Sequence, residues 1–210
     1  MSNALARLKD GYTKGARGLA ARMAGSLEDS WITPNKLTAA GVTLCLAAAV
    51  LVWLEDSDEL LFFWLGAAVF IVGSVLDILD GALARATGKG TPFGAFIDST
   101  TDRIGEAAML GAIGLVFMRH DQMWALALAF AAIAGSFLVS YTRARAEALG
   151  LKGDVGFGSR AERVIVITTG LVLAPLHDLI LPSVIALLAA TAWLTVVQRI
   201  LFVRKQLSGA

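Results

Sequence analysis

Long apolar runs separated by short polar connections make up most of this chain. Each run is long enough to cross a hydrocarbon core of about 30 Å as a helix, and none alternates like a barrel strand. Backbone groups in lipid must be paired within the segment, so the pattern predicts an all-α integral membrane fold with six transmembrane helices. The predicted spans are roughly Lys36–Leu54, Leu60–Asp80, Phe93–Met118, Met123–Tyr141, Val164–Leu181 and Ser183–Phe202.

The segment before the first run is basic and has apolar residues at roughly helical spacing between positions 3 and 24. That spacing predicts an amphipathic helix on the membrane surface, with a disordered basic tail as the alternative. No internal repeat divides the chain, so we expect one domain over 1–210. It would consist of a juxtamembrane segment over 1–32 and a six-helix membrane core over 33–210.

Basic residues are distributed unequally between the two sides of this arrangement. Sixteen of the 18 lysines and arginines fall on one side, whereas the first loop on the other side reads EDSDE. An even number of spans with this bias predicts that both termini lie in the cytoplasm, in a multi-pass protein of the cell membrane. The formal net charge is only +1, so charge gives no general reason to expect nucleic-acid binding.

Four aspartates interrupt the otherwise apolar second and third spans near their cytoplasmic ends. Asp77 and Asp80 are three residues apart, and Asp98 and Asp102 are four apart, so each pair falls on one helical face. Two antiparallel helices joined by a short loop would bring the four carboxylates together. Oxygen-only ligands of this kind suit Mg²⁺ or Mn²⁺. A helix-end salt-bridge network without a ligand is the alternative.

The loop between the two pairs adds groups that suit a phosphate ligand. Glycines at positions 81, 88, 90 and 94 let backbone approach a ligand closely, and Arg85 offers a planar donor fork. Divalent metal, arginine and glycines together describe a pyrophosphate site. We therefore expect a diphosphate-containing substrate at the cytoplasmic membrane boundary.

The same residues form a motif that resembles a known signature. The pattern D-x-x-D-G-x-x-A-R covers residues 77–85. After eight intervening residues, the pattern G-x-x-x-D-x-x-x-D begins at Gly94. Together they resemble the complete signature of the CDP-alcohol phosphotransferase family, with every fixed position filled. The resemblance implies a six-helix membrane enzyme, usually a homodimer, that displaces CMP from a CDP-linked donor by an alcohol, using two divalent ions.

The resemblance also implies roles for individual residues. Asp77, Asp80, Asp98 and Asp102 would hold two Mg²⁺ or Mn²⁺ ions, and Asp102 would also be the general base. The segment TPNKLT resembles the family's nucleotide-contacting segment at the start of the first span. The residues implied to contact the CDP donor, or to leave space for it, are Asn35, Lys36, Leu37, Thr38, Gly81, Arg85, Thr91 and Gly94.

Arginines after the fourth span and at the end of the sixth bear on the acceptor alcohol. They are Arg143, Arg145, Arg160, Arg163 and Arg199. A neutral alcohol needs hydroxyl partners, whereas a phosphorylated one needs cationic donors, so the cluster favours a phosphorylated acceptor. Ordinary positive-inside arginines are the alternative for any one of them.

The segment around these arginines resembles one branch of the family, the phosphatidylinositol-phosphate synthases of actinobacterial type and the related archaeal archaetidylinositol-phosphate synthases. The shared patterns are SY-x-[KR]-A-R-A-E, R-x-E-R and a late Q-R, here Gln198–Arg199. By that match, Arg143, Arg145, Arg163 and Arg199 would bind the acceptor's phosphate. Arg143 stands where bacterial members often have Lys, and Ala161 where Pro is common.

The expected reaction is transfer of the phosphatidyl group of CDP-diacylglycerol to L-myo-inositol 1-phosphate, which releases CMP. Glycerol 3-phosphate as acceptor, or an archaetidyl donor, is the near alternative. A divalent-cation transporter is an alternative of another class, disfavoured because both acidic pairs lie at one membrane face. A non-catalytic membrane scaffold is a third.

Overall fold

The structure is a computed structural model that describes residues 33–153, 155–156 and 160–208. Within those residues all regular structure is helical, which confirms the all-α prediction. The surface helix expected before residue 33 lies outside the described residues. The long helices are α1 (Pro34–Trp53), α2 (Glu59–Ala86), α3 (Pro92–Arg119), α4 (Met123–Ala148), α5 (Arg160–Leu173) and α6 (Ile180–Ser208), with short 3₁₀ turns at Glu55–Ser57 and Ala174–Leu176.

Four of these helices are long and apolar enough to cross a membrane, namely α1, α2, α4 and α6. Helix α3 has 28 residues but carries several charged side chains, and α5 has only 14 residues. A helix needs about 20 residues to span the hydrocarbon core, so α5 falls short of that length. The chain is therefore a helical membrane protein, and a six-span arrangement remains a prediction.

The boundary between the last two helices differs from the prediction. The expected span over Val164–Leu181 is divided, because α5 ends at Leu173 and α6 begins at Ile180. Pro175 lies in the 3₁₀ turn between them. Pro182 lies within the first turn of α6, where its missing N–H is one that the helix would leave unpaired anyway.

Helices α1 and α3 both begin with a Thr-Pro pair, Thr33–Pro34 and Thr91–Pro92. Proline suits the first helical position, and threonine is a good N-cap. The Oγ1 of Thr91 accepts the backbone N–H of Gly94 at 2.9 Å. The Thr91 carbonyl accepts the N–H of Ala95 at 3.0 Å, so this cap fixes where α3 starts.

The described residues group into two compact units, the first made of residues 33–44 and Val72–Ile104. Its described part contains the start of α1, the second half of α2 and the start of α3. Leu37 packs there in a buried apolar cluster with Leu79, Ala82 and Leu83. These contacts fasten the first turn of α1 to the end of α2.

The second unit comprises Cys45–Ile71 and Gly105–Ala210, and it contains the main apolar core. Its largest fully buried side chains include Met109, Leu110, Ile113, Ile167, Leu171 and Ile185. Large apolar side chains also cover the outside of its helices; Trp64, Phe130 and Leu187 are each more than half exposed. An apolar exterior of this kind suits lipid as the surrounding solvent.

Candidate active site

Three of the four predicted metal-ligating aspartates come together in the first unit. Asp77 on α2 and Asp98 and Asp102 on α3 each offer a carboxylate oxygen, and these oxygens lie within 4.8 Å of one another. Carboxylates this close repel unless a cation or proton neutralises them. Oxygen-only ligands at such spacing suit a hard divalent cation, as the sequence predicts.

Asp80, the fourth aspartate, is held differently. It is only 2% exposed, and its Oδ2 accepts a hydrogen bond from the Thr38 hydroxyl. Its Oδ1 is buried and has no hydrogen-bond partner among the described residues. A buried carboxylate oxygen without a partner carries a desolvation cost that a bound cation would remove. The residues present therefore fit a divalent metal.

A cavity of about 580 Å³ in the first unit is lined by both Asp80 and Asp98. Its size is within the range of small-molecule sites, roughly 300–1,000 Å³. Six of the eight predicted donor-binding residues line it: Asn35, Thr38, Gly81, Arg85, Thr91 and Gly94. Asp80 and Asp98 therefore share one cavity with most of the predicted nucleotide contacts, and Asp98 also belongs to the carboxylate cluster with Asp77 and Asp102.

The other two predicted donor-binding residues are placed differently. Leu37 is 8% exposed and belongs to the apolar cluster with Leu79, Ala82 and Leu83. Lys36 is exposed, and its backbone N–H contacts Thr33. Leu37 thus holds α1 in position through packing, which lets its neighbours Asn35 and Thr38 line the cavity.

The cavity is electrically suited to a phosphate group. The first residues of α1 and of α3 both line it, and helix N-termini carry partial positive charge and backbone N–H donors. Arg85 and Lys89 add two side-chain cations to the same wall. A β-carbon at Gly94 would lie 3.1 Å from the Thr91 Oγ1. Glycine at this position therefore avoids crowding the side chain that caps α3.

The predicted acceptor arginines lie in the second unit. Arg163, at the start of α5, forms a buried pair with Glu106 of α3. The Arg163 Nε donates to Glu106 Oε1 at 2.5 Å, and its Nη2 donates to Glu106 Oε2 at 2.7 Å. The two residues are 7% and 8% exposed. This is a bidentate, charge-assisted contact that fixes the plane of the guanidinium.

Arg199 on α6 is 9% exposed and contacts backbone instead. Its Nε donates to the Val155 carbonyl at 2.9 Å, and its Nη1 donates to the Val139 carbonyl. Val155 belongs to the connection between α4 and α5, and Gln206 holds the same connection by two hydrogen bonds to the backbone of Lys152. Arg199 therefore ties that connection to α4 and α6.

The arginines at the end of α4 are more accessible. The Arg143 Nε donates to Glu147 Oε1 at 2.8 Å in an exposed pair one helical turn apart. Arg145 is exposed as well.

Partial burial lowers the pKa of Arg160, at the start of α5, to about 10, which leaves it cationic at neutral pH.

Sequence reasoning missed two contacts that shape these groups. One is the hydrogen bond from the Thr38 hydroxyl to the Asp80 carboxylate, which joins residues 42 positions apart. The other is the pair between Glu106 and Arg163. Glu106 follows Asp102 by four residues and continues the acidic spacing of α3. That spacing was the available signal, but the identity of the facing arginine depends on how α5 packs.

Comparison with known proteins bears on what this site does. Residues 31–198 match the family model described as CDP-alcohol phosphatidyltransferase. The archaetidylinositol phosphate synthase of Pyrococcus horikoshii is 38% identical over 189 residues, which cover 89% of this chain and 91% of that protein.

Two solved structures of the phosphatidylinositol phosphate synthase of Mycobacterium tuberculosis have the same fold, each at 32% identity. The structure with CDP-DAG bound has a TM-score of 0.76 and covers 88% of this chain and 92% of that chain. The complex with manganese and citrate has a TM-score of 0.77 and covers 88% of both. The family model, the relatives and the carboxylate site agree, and this chain belongs to the CDP-alcohol phosphatidyltransferase family.

Proposed function

We propose that this enzyme transfers the phosphatidyl group of CDP-diacylglycerol to L-myo-inositol 1-phosphate, forming phosphatidylinositol phosphate and CMP. The observation that carries the proposal is the single cavity that joins Asp80 and Asp98 to six predicted nucleotide contacts. Relatives with high coverage are synthases of inositol-phosphate lipids, which supports the choice of acceptor.

The donor's diphosphate fits the cavity by charge. Two helix N-termini and the side chains of Arg85 and Lys89 face this space, and each favours a phosphate oxygen. Asn35 and Thr91 add polar contacts at the helix starts. The acyl chains of such a donor explain why a phosphate site occurs in a chain whose helices span lipid.

In the proposed reaction, the acceptor hydroxyl attacks the phosphorus that carries the diacylglycerol group. A new P–O bond forms while the P–O bond to CMP breaks, and CMP leaves. The Asp102 carboxylate takes the hydroxyl proton as general base, a role that needs hydrogen-bond reach to the attacking oxygen. Asp77 and Asp98 each offer a carboxylate oxygen within 4.8 Å of one from Asp102, so the base would lie beside the carboxylates that hold the metal.

The four aspartates would hold two divalent ions, Mg²⁺ or Mn²⁺. When bound, such ions neutralise the diphosphate and stabilise charge that develops on the leaving CMP. Asp77, Asp98 and Asp102 offer oxygens within 4.8 Å of one another, and Asp80 offers a buried Oδ1. The manganese complex of the mycobacterial relative supports this choice of metal class.

The acceptor's phosphate would be bound by Arg143, Arg145, Arg163 and Arg199. Arg163 and Arg199 are buried and held in fixed orientations, whereas Arg143 and Arg145 are exposed. Fixed guanidinium groups recognise phosphate through paired N–H donors. An archaetidyl donor with the same acceptor is the second candidate, favoured by the 38% identity to the archaeal synthase.

The charge distribution supports an enzyme of the cytoplasmic membrane with both termini and the active site on the cytoplasmic side. Membership of the family supports a homodimer. Membrane lipids would then surround the apolar helices, and the same membrane would supply the CDP-diacylglycerol donor.

The test is CMP release by the purified chain with CDP-diacylglycerol and Mg²⁺ or Mn²⁺. We expect release with inositol 1-phosphate, little with free myo-inositol, and none without an acceptor. EDTA should abolish the release, and either metal should restore it. Equal release with free inositol would contradict a phosphorylated acceptor, and full activity after rigorous chelation would contradict the metal site.

A further inference from the structure

We propose that Glu106 is a positioning residue that orients Arg163 for the phosphate of the acceptor. The inference rests on the proposed function, because it concerns how the acceptor site is built. The carboxylate of Glu106 engages the Nε and Nη2 of Arg163 at 2.5 and 2.7 Å. This two-point contact sets both the position and the plane of the guanidinium.

The pair lies at the edge of the apolar core of the second unit. On α3, Glu106 is followed along the buried face by Met109 and Leu110, and on α5, Arg163 is followed by Ile167 and Leu171. All four of these apolar side chains are fully buried. Water therefore competes little for the carboxylate and guanidinium, and the geometry of the pair is held firmly.

Stability alone does not explain a buried ion pair at this place. Desolvation of two charges commonly offsets their attraction, and apolar residues of similar volume often serve as well or better. If Arg163 must bind a phosphate, however, no apolar residue could replace it. An arginine kept in low-dielectric surroundings also needs a counter-charge while the acceptor is absent, and Glu106 supplies it.

The exposed pair of Arg143 and Glu147 is a natural contrast. Its Nε–Oε1 distance is 2.8 Å, and its side chains are 57% and 56% exposed. Water and salt weaken such a pair, so Glu147 has little influence on where Arg143 points. Removing Glu147 therefore controls for the loss of a carboxylate beside an acceptor arginine.

The experiment compares Glu106→Gln, Glu106→Asp and Glu147→Gln in the full-length enzyme. Initial rates of CMP release are measured while inositol 1-phosphate and CDP-diacylglycerol are varied in turn. We expect Glu106→Gln to raise the KM for inositol 1-phosphate roughly 10-fold or more, the size of effect that follows loss of a residue that orients a metal ligand. Glu106→Asp should lie between it and wild type. The KM for CDP-diacylglycerol should stay near wild type, and Glu147→Gln should change the acceptor KM far less than Glu106→Gln does.

A merely structural role for Glu106 would lower the melting temperature and the amount of active enzyme without changing the acceptor KM. That result in a folded variant would overturn the proposal. If Glu106→Gln does not fold, Glu106→Asp decides: an unchanged acceptor KM contradicts the proposal, and a raised one supports it. Wild-type activity with the acceptor panel tests the proposed function separately. If the acceptor panel shows that the enzyme uses only glycerol 3-phosphate, the acceptor KM of each variant is measured with that compound. The comparison still holds, because both acceptors carry the phosphate that Arg163 would bind.

Discussion

At the scale of single residues, the carboxylates of the first unit differ in burial and in their contacts. Asp80 is almost fully buried and bonded to Thr38, whereas Asp102 keeps partial access to solvent beside Asp77 and Asp98. A buried, bonded carboxylate is suited to holding a cation in place. A more accessible one is suited to exchanging a proton with a substrate hydroxyl, which is the role proposed for Asp102.

Replacing Asp102 by Asn should remove nearly all turnover while much of the CDP-donor binding remains. General-base catalysis contributes about 10²–10⁴-fold, and loss of a metal ligand adds to the deficit. CMP release and donor binding are the measurements. Asp121→Asn is the matched control, because Asp121 is exposed and has a positive φ of 57° that Asn tolerates. Near-normal CMP release by Asp102→Asn would rule out the base assignment.

Arg145 gives a cleaner test of the acceptor site than Arg163 does. An Arg163→Ala change would strand the buried carboxylate of Glu106, whereas Arg145 is exposed at the end of α4. A charge-assisted contact contributes about 1.5–3 kcal/mol, so Arg145→Ala should raise the acceptor KM roughly 10-fold to 150-fold. Arg204→Ala, also exposed, should leave it unchanged. Equal KM values for the two variants would mean that Arg145 only sets membrane orientation.

At the scale of elements, close helix contacts hold the second unit together. A β-carbon built on Gly105 of α3 would lie 2.9 Å from the Cys45 β-carbon of α1. Gly111, on the same helix, has nothing within 4 Å of that position. The two glycines therefore allow the same substitution to be compared in a tight and an open setting.

Gly105→Ala should destabilise the protein, because the β-carbon of Cys45 is fixed to its backbone and cannot give way. Overpacking of this kind costs about 1–3 kcal/mol, which offsets or exceeds the roughly 1 kcal/mol that alanine gains in helix propensity. Gly111→Ala should be neutral or slightly stabilising. Thermal unfolding in detergent measures both, and a melting temperature for Gly105→Ala at or above wild type would contradict the packing described here.

Helical spacing accounts for what the sequence could predict about these elements. The spacings of Asp77, Asp98 and Asp102 define helix faces, and a short loop between α2 and α3 brings the faces together. The predicted fifth span over Val164–Leu181 is wrong at its end, because apolar residues lie on both sides of Pro175 and average hydropathy does not register the helix break there. The partner of Arg163 was unpredictable, because Glu106 meets it only through packing of helices that are distant in the sequence.

At the scale of the whole molecule, a lipid-facing exterior and a charged substrate site occur in one chain. Four helices have the length and hydropathy to cross a membrane, while the cavity near the end of α2 and the start of α3 is lined by carboxylates and cations. Such a combination suits an enzyme that takes its donor from the bilayer and its acceptor from water. The acceptor's identity is then the property that separates this enzyme from other members of the family.

A competition between two phosphorylated acceptors tests the central claim most directly. Equal concentrations of inositol 1-phosphate and glycerol 3-phosphate are supplied with CDP-diacylglycerol and metal, and the lipid products are quantified by mass spectrometry. The product ratio then equals the ratio of the two kcat/KM values at early times. We predict that phosphatidylinositol phosphate predominates, with CMP formed in equal amount to lipid product. Predominance of phosphatidylglycerol phosphate, or CMP released without a lipid product, would contradict the account.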